Sequence, residues 1–286
     1  MAIETLVEDI YELFRGQHKV NPENLSRFKE DIAKVVCESL EQAGTKQSFG
    51  LRMSNIGTKD RKLYYDSKSD VQVFKPNDYI KFMFGHILEH LVLFLAKEAG
   101  HEVTNEQQEV NLDGIVGHKD CHIDGVLCDI KSASSFSFRK FVDGGFPADD
   151  PFGYRYQLKG YYESFPTETD DVAWVVIDKQ YGDIFVKQLN VVELPDAKQR
   201  VKDVKRIVQF DVAPEHCYKP EYDNSGNLPI PKNCEWCPHV VNNNRCWGDK
   251  VRTFYYSTGP KHFIEINKPP RVPEITERFF KQKIHI

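Results

Sequence analysis

Apolar residues recur at helical spacing through the first 45 positions. Leu6, Ile10, Leu13 and Phe14 fall on one face, and Ile32, Val35, Val36 and Leu40 on another, with Asn21-Pro22 between the two runs and Gly44 as a stop. Two amphipathic helices are predicted there. A mixed segment follows, FGLRMSNIGTKDRKLYYDSKSD. The clearest helix then starts at Asn77 as N-cap, with Asp78 in its first turn, and runs through YIKFMFGHILEHLVLFLAKEA to Gly100. HEVTNEQQEVNL reads as a strand. The next stretch, GHKDCHIDGVLCDIKSAS, alternates as two short strands about a turn at Asp124-Gly125. A Gly/Pro/Asp-rich loop, DGGFPADDPFG, precedes a helix in YRYQLKGYYESF. Strands follow in VAWVVID and IFVKQLN, joined by KQYGD, then a helix in VELPDAKQRVKDVKRIVQFDVA. The rest reads as Pro/Asn/Cys-rich irregular chain with a basic tail, and no internal repeat is visible. Helix, hairpin, strand and helix within one segment predict a mixed α/β core.

The chain's 286 residues can bury one large core, or one core plus a small appendage. The expected divisions are 1–48, an N-terminal helical segment; 49–212, the core; 213–250, a cysteine-rich segment; and 251–286, the basic tail. No apolar run is expected to span a membrane. MAIETLVEDIYELF is acidic and amphipathic rather than a leader, so the expected location is the cytoplasm, that of the host if a phage encodes the chain. Seven cysteines in such a compartment read as thiols or metal ligands, not disulfides. The net charge of −5 does not announce a nucleic-acid binder. Its distribution says more: Lys250 to Ile286 holds eight Lys/Arg against three Asp/Glu, so this tail carries +5 and the rest of the chain −10. Such a division suits an enzyme that gathers carboxylates around cations and grips an anion elsewhere, and equally a solvated tail.

The acidic hairpin carries the candidate chemistry. Asp120 is expected on its first strand and Asp129 on its second. In Asp129-Ile130-Lys131, alternation puts Asp129 and Lys131 on one face and Ile130 on the other. Two carboxylates with an ammonium beside them can hold a hard divalent cation, with the Ile130 carbonyl as a further oxygen ligand. Lys131 would orient or deprotonate water and offset charge on a phosphate oxygen. Asp124 belongs to the turn. Glu89, flanked by small residues on the long apolar helix, is either exposed or turned inward toward a partner.

Gly85-x-x-x-Glu89 on a helix, Gly117-x-x-Asp120 on a strand, Asp129-Ile130-Lys131 on the next and Gln157-x-x-x-Tyr161 on a helix together resemble the PD-(D/E)XK nuclease superfamily, nearest its RecB-like and bacteriophage exonuclease branch. The resemblance spans about residues 50 to 250. It implies a restriction-endonuclease-like fold, a central mixed β-sheet flanked by helices, with N-terminal helices and a cysteine-rich C-terminal segment. It implies Mg²⁺ or Mn²⁺ held by Glu89, Asp120, Asp129 and the Ile130 carbonyl, Lys131 as the catalytic lysine, Gln157 as its positioning partner and Tyr161 packing or touching DNA nearby. Many RecB-like members carry His where Glu89 stands, which makes His90 its rival. The implied activity is phosphodiester hydrolysis in DNA replication, recombination or repair, by an exonuclease. DNA is the implied partner, no membrane is, and an oligomer or a single-strand-binding or recombination partner is compatible with it. Arg52, Ser54 and Arg61 in the segment resembling the family's entry region, with Arg139 and Arg155 around the Gly/Pro/Asp-rich loop, are candidate phosphate contacts. Phe152, Tyr154 and Tyr156 would stack on bases or pack the loop onto the sheet.

Cys234-Glu-Trp-Cys237 is a C-x₂-C knuckle, flanked by Cys217 and Cys246. Four thiols in irregular chain can close a tetrahedral Zn²⁺ site, or form a small reduced core with Trp236 and Trp247. RecB-like relatives with an iron–sulfur cluster place a fourth cysteine just after Ser-x-x-Gly. Here Ser54-Asn55-Ile56-Gly57 is followed by Thr58-Lys59-Asp60, so zinc stands ahead of a cluster. Cys37, Cys121 and Cys128 are expected in the core. The rival reading of the whole chain is a non-catalytic DNA-binding or zinc-stabilised interaction module on a nuclease fold.

Overall fold

The computed structural model describes residues 1–45, 48–69, 74–145, 150–165, 169–235, 237–241, 245–248 and 251–275. Two compact units make up the chain: Met1–Gly57 with Ser69–Lys205, and Thr58–Lys68 with Arg206–Ile286.

In the first unit, α1 (Leu6–Arg15) and α2 (Pro22–Gln42) are the two predicted N-terminal helices. Asn21 caps α2 by accepting from the Glu23 N–H, and Pro22 supplies the preset φ of a first helical residue. α3 (Asp60–Ser67) belongs to the second unit. α4 (Pro76–Glu98) begins ahead of the expected Asn77 cap, because Pro76 opens it and the Asp78 carboxylate reaches back to the Lys75 N–H at 3.1 Å. Contrary to the sequence reading, α4 is long and apolar enough to cross a membrane by length and composition. Here Val92, Leu93 and Ala96 are buried in the core of the unit.

The predicted strand HEVTNEQQEVNL breaks in two. β1 (Val103–Thr104) and β2 (Gln108–Leu112) are separated by a turn in which Asn105 and Gln107 take left-handed φ of 53° and 50°. β2 pairs with β3 (Ile115–Lys119) in a two-stranded ribbon. β4 (Cys121–Ile123) and β5 (Val126–Ala133) form the predicted hairpin, with Asp124 at φ 50° and Gly125 at φ 84° as in a type I′ turn. Asp120 is therefore not within a strand, as expected, but at the point where the chain leaves the ribbon and enters the main sheet. α5 (Ser135–Val142), which the sequence reading missed, and α6 (Tyr154–Ser164) make the crossover to β6 (Asp171–Asp178), parallel to β5. β7 (Ile184–Asn190) pairs antiparallel with β6. The central sheet is mixed, in the order β1-β4-β5-β6-β7, with helices against it, as the sequence predicts.

One face of this sheet presents Cys128 and Ile130 of β5 and Ala173 and Val175 of β6 to Leu6 and Ile10 of α1 and Val92 and Ala96 of α4. Each large aliphatic side chain buried there contributes roughly 1.5–3 kcal/mol. α1 is thus part of the core, through Leu6 and Ile10, whereas α2 buries no residue fully. Cys121 and Cys128, opposite each other in register, are buried core thiols as expected, whereas Cys37 is exposed. Alternation sends Asp129 and Lys131 to the other face, where Asp129 is paired with Trp174 and Phe141 of α5 meets the Trp174 ring edge-on.

α7 (Ala197–Ile207) is shorter than the helical run predicted for it. In the second unit, β8 (Leu228–Pro229), β9 (Arg252–Tyr256) and β10 (Gly259–Glu265) form a sheet in the order β8-β10-β9, and α8 (Pro238–Val241) follows the cysteine knuckle. Much of the expected basic tail is therefore a hairpin in the same unit as the cysteines; Trp236 and residues 276–286 lie outside the described residues. The buried Asp66 of α3 accepts from His239 Nε2 at 2.7 Å and from Lys62 Nζ at 2.6 Å. Burial pushes its carboxyl up, but these two donors outweigh that and hold it below the usual carboxylate range.

Candidate active site

Period-two alternation on β5 places Asp129 and Lys131 side by side, and Lys131 Nζ lies 2.7 Å from Asp129 Oδ1. α6 delivers Gln157 from across the same face. Its Oε1 is 3.4 Å from Lys131 Nζ, and its Nε2 donates to the Tyr161 hydroxyl at 2.9 Å. From the chain crossing before β4, the Asp120 carboxylate turns onto β5 and accepts the Ile130 N–H at 2.6 Å. Glu89 comes from α4 and accepts from the Gln107 side chain. Gly85 of this helix faces β5, where a Cβ would make only ordinary contact with Ser132 Oγ at 3.9 Å. His90, the alternative to Glu89, points elsewhere, 3.7 Å from Asp31 of α2.

Glu89, Asp120, Asp129 and Lys131 are close enough for their charges to interact. Burial raises the Glu89 carboxyl to about 7, with Lys131 and Gln107 pulling down and Asp129 pushing up. Asp120 is raised well above its ordinary value by burial and by Glu89 and Asp129. Burial also raises Asp129, against the pull of Lys131. Lys131 goes the other way: burial disfavours its ammonium, but Asp129 and Asp120 outweigh burial and keep it protonated. Its place beside Asp129 suits it to hold charge rather than to accept a proton.

Each carboxylate keeps one oxygen on an internal donor, and among the described residues no group of three or more His, Cys, Asp or Glu is drawn together so as to hold a metal ion. The donor set nevertheless fits a hard divalent cation. Asp129 Oδ2 is buried and meets no donor in hydrogen-bond geometry, although the Trp174 side chain lies near enough to the carboxylate to favour its charged form. Three carboxylates and a backbone carbonyl are oxygen ligands of the kind Mg²⁺ and Mn²⁺ take.

Of the expected DNA contacts, Arg52, Ser54 and Arg139 are exposed. Three others are put to different use. Arg61 donates to Cys246 Sγ, the Cys246 carbonyl and the Pro214 carbonyl within the second unit. Arg155 donates to the Glu193 carbonyl at 2.5 Å. Tyr161 is only 3% exposed and packs on Gly117, where a Cβ would come within 3.0 Å of its ring. Sequence reasoning missed Gln107, whose turn gave no signal as a partner for Glu89, and Asp150. The Asp150 carboxylate caps α6 by accepting from the N–H groups of Gly153, Tyr154 and Arg155 at 2.8, 3.0 and 2.9 Å. The cap fixes the first turn of α6, the helix that carries Gln157.

In the second unit, Cys217, Cys234, Cys237 and Cys246 lie near enough to influence one another. Burial first, then the neighbouring thiols, push Cys234 up to about 12. Cys237 N–H bonds the Cys234 carbonyl at 3.0 Å, a tight knuckle turn, and Arg61 Nε lies 3.3 Å from Cys246 Sγ. Four thiols are the donor type that Zn²⁺ takes, though among the described residues they too are not drawn together into a metal-holding group.

No family model matches the sequence, and no curated protein matches it. Among solved structures, that of SSO0001 is similar with 17% identity and a TM-score of 0.41, over 73% of this chain and 94% of that chain. A likeness of this degree identifies neither fold nor activity.

Proposed function

We propose that the chain is a Mg²⁺- or Mn²⁺-dependent deoxyribonuclease of the PD-(D/E)XK type, a phage-type exonuclease acting in DNA replication, recombination or repair. The observation that carries the reading is the line Asp129–Lys131–Gln157 on one sheet face, with Asp120 and Glu89 brought to it from two other elements. A module that only binds DNA has no need of a buried ammonium in contact with a buried carboxylate beside two further acids.

In this reading Glu89, Asp120, Asp129 and the Ile130 carbonyl would hold the cation, which supplies charge neutralisation at the phosphate and a more acidic water. Lys131, fixed by Asp129 and Gln157, holds a positive charge against a phosphate oxygen as negative charge develops there. Gln157, fixed by Tyr161 and by the Asp150 cap, keeps the Lys131 side chain from rotating away. Cys217, Cys234, Cys237 and Cys246 would hold a structural Zn²⁺ apart from the reaction, which orders a segment with a small core of its own.

The test is digestion of end-labelled linear DNA and closed circular DNA with Mg²⁺ or with EDTA. Release of nucleotides from linear ends in Mg²⁺ alone is expected. Cutting of circles would remove the exonuclease assignment, and cutting in EDTA would remove the metal.

A further inference from the structure

Resting on the nuclease reading, we infer that Phe152 is a nucleobase platform and that the strand presented to Lys131 is unpaired. Phe152 is 61% exposed, yet it is not a loose side chain. Its ring stacks on Tyr154 with centroids 5.4 Å apart and 24° between the planes, and Lys131 Nζ sits 4.9 Å from the centre of the Tyr154 ring. An aromatic ladder thus leads from the surface to the ammonium at the carboxylate site. Tyr154, expected either to stack on bases or to pack the loop, is the inner rung and half-buried, and Tyr156 lies against the Arg200 guanidinium.

The loop that presents the outer ring is held from two sides. The Asp150 carboxylate takes the three successive N–H groups that follow Phe152. Gly153, at φ 76°, touches the backbone of Gly57 so closely that a Cβ on either residue would lie within 2.5 Å of the other. Beside this fixed backbone Phe152 lays one face of its ring on Tyr154 and remains exposed. A fixed, exposed ring binds a base without first losing rotamer freedom, and stacking tolerates any base because every base has a π-face. Within a duplex those faces are covered by neighbouring pairs, so the platform selects a strand whose bases are free. A base on Phe152 and a phosphate at Lys131 would belong to neighbouring nucleotides.

The experiment uses the full chain and a single-stranded oligonucleotide carrying 2-aminopurine, with binding read in EDTA and cleavage in Mg²⁺. The wild type should quench 2-aminopurine and bind the single strand more tightly than a blunt hairpin duplex or an abasic strand of equal length. Phe152→Ala should abolish the quenching, weaken single-strand binding about tenfold, the equivalent of about 1.4 kcal/mol, and raise KM with little change in kcat. Phe152→Trp should restore both. Equal quenching by wild type and Phe152→Ala, equal binding of the abasic strand, or preference for the blunt duplex would overturn the platform. A wild type that stacks the base but does not cleave in Mg²⁺ would leave the platform standing and remove the nuclease reading; one that cleaves with an unchanged KM in Phe152→Ala would do the reverse.

Discussion

The carboxylate cluster of the first unit and the cysteine cluster of the second both bury ionisable groups, but only the first holds a buried countercharge among them. Around β5 one pair is compensated, Asp129 by Lys131, while burial raises Glu89 to about 7 despite Gln107, and burial with the neighbouring acids raises Asp120 well above its ordinary value despite the Ile130 N–H. Around the knuckle the groups stay neutral, with Cys234 pushed up to about 12 and Cys237 and Cys246 raised as well. Removing one member of a compensated set uncovers a charge, whereas removing one neutral thiol uncovers little unless a metal ties the four together. The difference separates a site built for charge from a site built for order, and single substitutions can test it.

The largest effect on stability is expected from Lys131→Met, which leaves Asp129 ionised or forces it to take up a proton in a buried position. Breaking such a pair costs about 3–5 kcal/mol, and urea unfolding should show Lys131→Met/Asp129→Asn recovering most of that loss. Equal stability of the wild type and Lys131→Met would mean the pair is not compensated as described. For Cys234→Ser, wild-type protein should contain one zinc by elemental analysis, and the variant should lose it together with thermal stability of the second unit while keeping DNA cleavage. Zinc-free wild-type protein would reduce the knuckle to a small thiol core. Asp150→Ala should cost about 1–2 kcal/mol as a lost N-cap and lower kcat through Gln157, with the Asn variant restoring most of both.

The smallest effect concerns charge at the end of α4. Burial raises the Glu98 carboxyl, but donors from His18, the Asn21 N–H and Asn24 outweigh it, so the folded value lies below the unfolded one. Its contribution to stability is therefore full above the ordinary glutamate range and fades as pH falls through the folded value. Glu98→Gln should flatten the acid limb of a stability-against-pH curve. An unchanged limb would show that this carboxylate does not tie the α1–α2 connection to α4.

Much of this was legible in the sequence where one residue's role is set by its immediate neighbours. Asp124-Gly125 demands a positive-φ turn, and Asp129-Ile130-Lys131 must alternate across a strand, so the hairpin and its charged face follow from local rules. Asp124 also does more than turn the chain, since its carboxylate accepts from the Glu102 N–H and pairs with the buried His101 at 2.6 Å. Asp120 was misplaced because the chain changes sheets there, and a partner strand cannot be read from alternation. α5 was missed because SFSFRKFV is too short to show a helical period. The β9–β10 hairpin was hidden under a count of basic residues that describes its exposed side chains and not its pairing. Arg61 and Tyr161 were assigned to DNA by their position in the chain, while their long-range partners, Cys246 and Gly117, decide their use.

The central claim is that Lys131, held between Asp129 and Gln157, supports metal-dependent hydrolysis of DNA. The direct test compares initial rates of nucleotide release from end-labelled linear DNA by wild type and Lys131→Ala, each confirmed folded by circular dichroism, at saturating Mg²⁺. A loss of about 10²–10³-fold in kcat is predicted for the variant, as for removal of one charge-stabilising donor. A folded Lys131→Ala protein that cleaves at the wild-type rate would contradict the account.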